Sequence, residues 1–481
     1  MNLNEPPTQI VIPPEFEQCL ALQRTAYLAD PNPGHAQRVA DLQAMARMLK
    51  ENQDAILAAI NRDYTNRSSF ETLFAEFFMV LDGIRDTVKH VKGWMKPKKR
   101  HVDLLMYPLA KNRLIPQPLG VVGVIVPWNF PLFLAFGPLT GIFAAGNRAM
   151  VKMSENSVHL AQLLISLSPK YFPADKLMFF EDGGGRGPAF GALPFDHLMF
   201  TGSGQTGRAV MAAAARNLTP VTLELGGKAP AIVGADFPIK TAAERILWVK
   251  MFNAGQVCLN VDYLFLPEGK VDEFVEHAKR LVAERYPDIN GPDYTSIIDD
   301  KSFARLQGAL DDAREKGATL INLAEGQQPD ATKRKFPPHL VLNPTDDMQL
   351  MQREIFGPIL PILSYGHRQE VADTINGRDR PLAIYPFTHD RDLRDFYISH
   401  VMSGGVSVNE ALLHVGQHDL PFGGVGASGM GHYHGRDGFI TFSKLRPVFT
   451  QGPVSAVQMM FQPPYAGLTS RILNLLIKLK T

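Results

Sequence analysis

The chain has 481 residues, 45% of them hydrophobic and 20% charged, the balance of a globular protein large enough for two or three cores. With 49 Lys and Arg against 48 Asp and Glu, the net charge of +1 gives no support for nucleic-acid binding. Two distant cysteines, Cys19 and Cys258, make no disulfide framework and point to a reducing, cytoplasmic setting.

The N-terminal MNLNEPPTQIVIPPEF lacks the basic and apolar pattern of a secretory leader, and no stretch reaches the roughly 18 apolar residues of a membrane helix. Val39, Leu42, Met45, Ala46 and Leu49 recur at helical spacing, as do Phe70, Leu73, Phe74, Phe77, Leu81, Ile84, Val88 and Val91. Both runs predict amphipathic helices with their aromatics in the core. Lys96, Lys98, Lys99 and Arg100 around Pro97 read as a solvated turn. The Pro-punctuated segment from Pro97 to Pro118 reads as an extended arm that reaches another subunit.

From Val121 the pattern changes. Val121 to Val126 is a continuous apolar run, the sign of a strand covered on both faces. Leu132 to Ala145 is apolar all round and predicts a buried helix, and Ala149 to Lys152 the next strand, together a right-handed βαβ unit. The alternation continues. Helices are expected at Leu160 to Leu167, Arg208 to Arg216, Ala242 to Phe252, around Val271 to Leu281 and at Phe303 to Arg314. Strands are expected at Leu177 to Phe180, His197 to Thr201, Val221 to Glu224, Ala231 to Val233, Tyr263 to Leu266, Ile359 to Leu363, Ala383 to Phe387 and Val406 to Asn409. This is an α/β architecture in two halves, with Gly226-Gly227 as the hinge. The tail segment Ile472 to Ile477 is too short to span a membrane and is expected to lie on a partner subunit.

Four features carry chemistry. Gly202-Ser-Gly-Gln-Thr-Gly207 follows a strand, opens a helix and fits the dinucleotide pattern G-x-G-x-x-G. Glu224 lies about 20 residues on, where that pattern puts a ribose ligand. Lys152-Met-Ser-Glu155, at the end of a parallel strand, is a second candidate for sugar hydroxyls, the alternative being a surface ion pair. Cys258 is either a buried small hydrophobe or a thiolate nucleophile. Asn129 and Glu224 taken singly are a turn residue and a strand-end charge. His432 and His434 have no accompanying thiol or carboxylate cluster, so no metal is expected.

Taken together, Pro127-Trp-Asn-Phe-Pro131, Lys152-Met-Ser-Glu155, Phe200-Thr-Gly-Ser203, Glu224-Leu-Gly-Gly-Lys228, Gly255-Gln-Val-Cys258 and Glu354-Ile-Phe-Gly-Pro358 resemble the aldehyde dehydrogenase superfamily, in the right order over roughly residues 20 to 450. Pro421-Phe-Gly-Gly-Val-Gly-Ala-Ser-Gly-Met-Gly431 with His434-Gly435 is similar to the class 3 branch. Leu28-Ala-Asp-Pro-Asn-Pro33, Leu193-Pro-Phe-Asp-His197 and Leu412-Leu-His-Val415 are similar to the bacterial coniferyl-aldehyde dehydrogenases.

The resemblance implies two doubly wound, Rossmann-like parallel-sheet domains plus a small β oligomerisation element. Residues 1–98 and 119–225 would bind dinucleotide and 226–415 would form the catalytic domain. Segments 99–118 and 416–450 would bridge subunits of a homodimer, and 451–481 would be a tail. It makes Cys258 the nucleophile and Glu224 the general base, not a ribose ligand. Asn129 and the Cys258 backbone N–H become oxyanion donors. Lys152 and Glu155 take the adenine ribose, Glu354 and Phe356 the nicotinamide end, and Trp128, Gly202, Ser203 and Gly207 complete the cofactor site. The implied cofactor is NAD+, with NADP+ open, and the implied substrate an aromatic aldehyde, with an aliphatic one as the alternative. An acylating enzyme that releases its thioester to coenzyme A, and an idle binding protein on the same fold, are the rivals; Glu224 speaks against the first. Two departures stand out: Gly204 where relatives usually carry Thr, and the glycine-rich Glu181 to Gly187. Leu259 to Asp262 also differs from the commoner pattern and is expected to shape the pocket wall.

Overall fold

A computed structural model of the chain describes residues 11–480 apart from 105, 456, 459, 460, 464 and 466, so most of the segment behind the no-leader expectation lies outside the described residues. The fully apolar runs become strands buried along their length, Val121–Ile125 and Ala383–Phe387 among them. Five form a parallel array in the order Val221–Leu225, His197–Gly202, Val121–Ile125, Arg148–Lys152, Leu177–Phe180. Gly429–Met430 adds to its outer edge, antiparallel to Val221–Leu225. Strand order reverses between Val121–Ile125 and His197–Gly202, and a crevice opens beyond their carboxyl ends, where open α/β sheets take ligands.

The chain leaves this sheet at Leu225, passes Gly226-Gly227 and enters a second sheet at Pro230–Val233. That sheet has seven strands in the order Thr319–Asn322, His339–Leu342, Ile359–Tyr365, Tyr263–Pro267, Pro230–Val233, Ala383–Phe387, Gly405–Val406, parallel except for its first strand. Lys98–Arg100, Lys111–Pro118 and Ser443–Thr450 form a small antiparallel sheet. The Pro97 to Pro118 arm is therefore extended as expected, but Lys98–Arg100 is an exposed edge strand and not a turn. The helix Phe133–Ala145 is buried along most of its length, as its uniform apolarity predicts.

Two expectations fail for physical reasons. Phe70, Phe74 and Phe77 were expected in the core, yet Phe70 is 73% exposed and Phe74 36%, while Phe77 is buried. Between Leu73 and Phe78 the helix widens into a π turn, which inserts a residue into the 3.6-residue register and swings the aromatic stripe off the core. The strand at Val406 to Asn409 contracts to Gly405–Val406; Ser407 and Asn409 still donate to the Ile384 and Pro386 carbonyls at 3.2 and 2.8 Å, and the left-handed backbone of Asn409 (φ 59°) ends the extended run. Its side-chain oxygen then accepts from Thr388 N–H at 2.7 Å. The Ile472 to Ile477 segment falls in a C-terminal helix, Leu468–Lys480. Among the described residues no helix is long and apolar enough to cross a membrane.

Candidate active site

Cys258 follows three consecutive left-handed residues, Asn253 (φ 51°), Ala254 (φ 48°) and Gly255 (φ 75°). Two of them bear side chains, so the turn is strained and needs to be held. Buried amides hold it. Gln256 donates to the Asn253 carbonyl at 3.0 Å and the Ser296 carbonyl at 3.1 Å, and accepts from Ile298 N–H at 2.9 Å. Asn260 donates to the Gly255 carbonyl at 2.7 Å, and the Glu71 carboxylate accepts from Asn253 N–H at 3.1 Å. Gly255 has no alternative, because a Cβ there would lie 2.3 Å from the Gly357 carbonyl oxygen.

Asn129 stands opposite this turn, in the segment after the Val121–Ile125 strand. Its main-chain carbonyl accepts from Tyr64 Oη at 3.1 Å, Arg67 Nη1 at 2.8 Å and Asn253 Nδ2 at 3.0 Å. Its side-chain amide makes only a 3.3 Å bond to the Gln256 carbonyl, so it remains able to donate to an oxygen beside the thiol. Arg67 is itself buried and faces Glu76 at 3.5 Å. Glu76 in turn accepts from Leu132 N–H at 2.6 Å and Phe133 N–H at 3.3 Å, capping the first turn of the Phe133–Ala145 helix.

Asn129, Glu224, Cys258, Glu354 and Phe356 line one cavity of about 290 Å³. Trp128, Gly202 and Ser203 lie on its border with a second cavity of about 500 Å³, whose far end holds Lys152 and Glu155. Gly207 is buried in the first turn of the helix Gly204–Ala215, whose N-cap Ser203 accepts from Thr206 N–H at 3.2 Å. Nearest the Gly204 Cβ position is Arg208 Nη1 at 3.6 Å, so the missing side chain leaves the turn open. Glu224 sits with Cys258 and away from Lys152, so the fingerprint spacing to a ribose ligand does not hold. Its strand, Val221–Leu225, runs beside His197–Gly202 on the side remote from Arg148–Lys152.

Across Cys258 lies a third, apolar tunnel of about 100 Å³, walled by Phe74, Phe130, Phe133, Phe252, Leu412 and Phe422. The displaced Phe74 thus lines a site after all. Of the Leu259 to Asp262 segment, Leu259 reaches this wall; Asp262 instead accepts from Ile355 N–H at 2.9 Å and pairs with Lys228. Lys228 also donates to the Leu350 carbonyl at 2.7 Å, and Arg305 to the Ile355 carbonyl at 2.6 Å. These bonds fix the loop that carries Glu354 and Phe356. Phe356 meets Trp128 edge-on at 5.4 Å. Gly226 leaves room for the Glu354 carboxylate, which a Cβ there, at 1.9 Å, would displace.

The acids of the cavity are buried, and they respond. Burial pushes the Cys258 thiol up to about 12, helped by the nearby Glu354 and Glu224 carboxylates. Burial alone raises Glu224 well above the carboxylate range, and neither of its oxygens has a hydrogen-bond partner. Burial and then Asp262 raise Glu354 to about 8. Once deprotonated, a thiol and a carboxyl around one space with an amide donor can attack a carbonyl, stabilise the resulting oxyanion and move protons. Among the described residues no group of three or more His, Cys, Asp or Glu could hold a metal ion. His434 is buried and stacks on Phe422 at 5.3 Å, while His432 faces Asp437 at 3.9 Å. Sequence reasoning missed Tyr64, Arg67, Glu71 and Glu76, and the bonds by which Asn253 and Gln256 hold the loop before Cys258. Charges at Arg67, Glu71 and Glu76 beside an apolar helical run were the available signal.

Two parallel sheets meeting at a nucleotide-sized crevice, with a thiol and a carboxyl at its inner end, define the class of nucleotide-dependent dehydrogenases. The chain belongs to the aldehyde dehydrogenase family, which it matches over residues 23–448. It is 51% identical over 453 residues to the "Probable coniferyl aldehyde dehydrogenase" of Pseudomonas aeruginosa, covering 94% of each chain. It is 45% identical to the "Coniferyl aldehyde dehydrogenase" of Pseudomonas sp. strain HR199, covering 92% of each. A solved structure described as "Substrate bound state of Staphylococcus Aureus AldH" superposes with a TM-score of 0.89 at 33% identity, over 98% of this chain and 100% of that one. The general activity is NAD(P)-dependent aldehyde oxidation.

Two outcomes follow from the buried groups. Because Glu224 is raised in the folded state, its fold-stabilising protonated form is complete below the unfolded carboxyl value and is lost as pH rises toward the folded one. Glu224→Gln therefore melts higher than the parent, with a gap that widens from pH 5 upward. Equal melting temperatures at pH 8 would contradict this. Arg67→Met leaves Glu76 buried without its cation and should cost about 3–5 kcal/mol in denaturant unfolding, with kcat falling more than KM changes as Asn129 loses its anchor.

Proposed function

We propose that the protein oxidises an aromatic, coniferyl-type aldehyde to the free carboxylic acid, with NAD+ as the preferred acceptor and Cys258 as the nucleophile. The observation that carries this reading is the position of Cys258 between an apolar, phenylalanine-walled tunnel and a nucleotide-sized crevice. A flat conjugated aldehyde fits a tunnel walled by five Phe rings, where its ring stacks or meets them edge-on. The named activity of the two Pseudomonas relatives supports the same substrate class. An aliphatic aldehyde would fill the tunnel through area burial alone.

The crevice suits a dinucleotide. Its volume of about 500 Å³, the Ser203-capped helix N-terminus on its wall, and Lys152 with Glu155 suit a pyrophosphate and a ribose. Trp128, Gly202, Ser203 and Gly207 would border the chain of phosphates, and Glu354 with Phe356 would hold the nicotinamide end. When bound, that group accepts the hydride from the substrate carbon. The remaining work belongs to the chain. Cys258 adds to the aldehyde carbon after its proton passes to the ionised Glu224 carboxylate in the same cavity, and Asn129 Nδ2 with the Cys258 N–H receives the oxyanion. After oxidation the substrate remains as a thioester. Glu224, unpartnered in the same cavity and returned to its ionised form, takes a proton from water, which hydrolyses the thioester and frees the Cys258 thiolate. A base this strongly raised makes deacylation faster as pH rises.

For the assembly, residues 1–98 and 119–225 are assigned to nucleotide binding and 226–415 to catalysis. The small antiparallel sheet of 99–118 and 416–450, with its exposed edge strand Lys98–Arg100, is assigned to pairing two copies.

A panel of aromatic and aliphatic aldehydes followed at 340 nm tests the substrate class. Higher kcat/KM for cinnamyl-type aldehydes is expected, and a preference for long aliphatic ones would overturn it. Cys258→Ala should abolish NADH formation. Glu224→Gln should give one stoichiometric burst and then stall; a full steady-state rate would remove it from the mechanism. Acid formed without coenzyme A separates this chemistry from acyl transfer.

A further inference from the structure

The glycine-rich Glu181 to Gly187 segment has a place in the fold that the reaction does not use. Strands Arg148–Lys152 and Leu177–Phe180 are parallel neighbours with Lys152 opposite Phe180. Asp182, two residues past the end of the second strand, is thereby delivered to the Lys152 side chain. The Asp182 Oδ1 to Lys152 Nζ distance is 2.8 Å, and both side chains are nine-tenths buried. Gly183, Gly184 and Gly185 all take left-handed backbone (φ 50°, 96°, 91°), and Arg186 N–H closes the turn on the Asp182 carbonyl at 3.2 Å. The turn keeps its acid pointed at the lysine, and a Cβ on Gly187 would sit 3.7 Å from the same Nζ.

We propose that Asp182 is a positioning residue for Lys152 that makes the crevice selective for NAD+ over NADP+. The inference rests on reading that crevice as the nucleotide site. The only difference between the two cofactors is a phosphate on the adenosine ribose, at the end where Lys152 and Glu155 lie. A lysine is the natural partner of such a phosphate. Here its charge is already balanced by Asp182, at ion-pair distance. Glu155, on the same crevice wall and accepting from Ser154 Oγ at 3.1 Å, adds a second carboxylate. Arg186, the nearest other cation on this loop, is committed to Glu15 at 3.0 Å. Arg216 lines the same crevice from the helix side. With Arg216 counted, two cations stand against two carboxylates, and Asp182 is the group that leaves Lys152 without an uncompensated charge. A ribose with free hydroxyls needs only hydrogen bonds there, whereas a phosphate finds its lysine already neutralised by Asp182 in a partly desolvated site.

The test is calorimetric titration of the full-length protein with NAD+ and with NADP+, alongside steady-state kcat/KM for both. Asp182→Asn should tighten NADP+ roughly 10- to 100-fold and change NAD+ less than about threefold. The NADP+ gain should shrink in 1 M salt, as a charge effect does. Asp182→Glu, which keeps the carboxylate, should retain the parent selectivity and controls for disruption of the turn. Equal shifts for both cofactors in Asp182→Asn, or an unchanged NAD+/NADP+ ratio, would overturn the proposal while leaving the crevice assignment intact. Lys152→Ala checks that assignment separately: unchanged NAD+ affinity would mean that the crevice is not the nucleotide site, and both readings would fall.

Discussion

The main-chain carbonyl of Asn129 is the point on which this molecule turns. One oxygen accepts from Tyr64 at the end of a helix, Arg67 in the connection that follows it, and Asn253 far along the chain. The first two come from the N-terminal helical layer, and the third from the left-handed turn that precedes Cys258. A single acceptor thus fixes the distance between the amide able to stabilise an oxyanion and the thiol able to create one. The donors are fixed in their turn: Arg67 faces Glu76, which caps the Phe133–Ala145 helix, and Glu71 bonds both Asn253 N–H and Thr295 Oγ1. In a dry interior such a network is rigid because every broken bond strands a buried polar group.

That rigidity has an electrostatic cost that the chemistry uses. Burial raises Cys258, Glu224 and Glu354 together. The fold is destabilised by keeping an unpartnered carboxyl at Glu224, 2% exposed, at the centre of the molecule. A strong base with no competing hydrogen bond is what a water-activating group needs. Stability and reactivity pull in opposite directions at this one residue, which is the pattern expected of a functional site and not of a core.

Much of the architecture was legible in the sequence because it rests on local rules. Runs such as Val121 to Val126 can only be strands covered on both faces, and the uniformly apolar Leu132 to Ala145 can only be a buried helix. The six motifs brought Cys258, Glu224, Asn129 and Glu354 into one reading, and the fold puts them in one cavity. What was not legible depends on non-local or irregular geometry. The π turn at Leu73–Phe78 moved Phe74 from the expected core to the tunnel wall, and no periodicity announces such an insertion. The spacing from Gly202 to Glu224 mimicked a ribose ligand because spacing carries no information on which side of a strand the next one is laid down. Arg67, Glu71 and Glu76 look like surface charges until helix and loop close over them. Asp182 looks like part of a flexible glycine loop until the neighbouring strand places Lys152 beside it.

The central claim is that the thiol of Cys258 carries the substrate as a thioester that Glu224 then resolves. Intact-mass and peptide-level mass spectrometry of Glu224→Gln, after one turnover with NAD+ and an aromatic aldehyde, tests it most directly. The account predicts one acyl adduct per chain, located on Cys258, absent from Cys258→Ala and released slowly with rising pH. An unmodified Cys258 accompanied by stoichiometric NADH would contradict it.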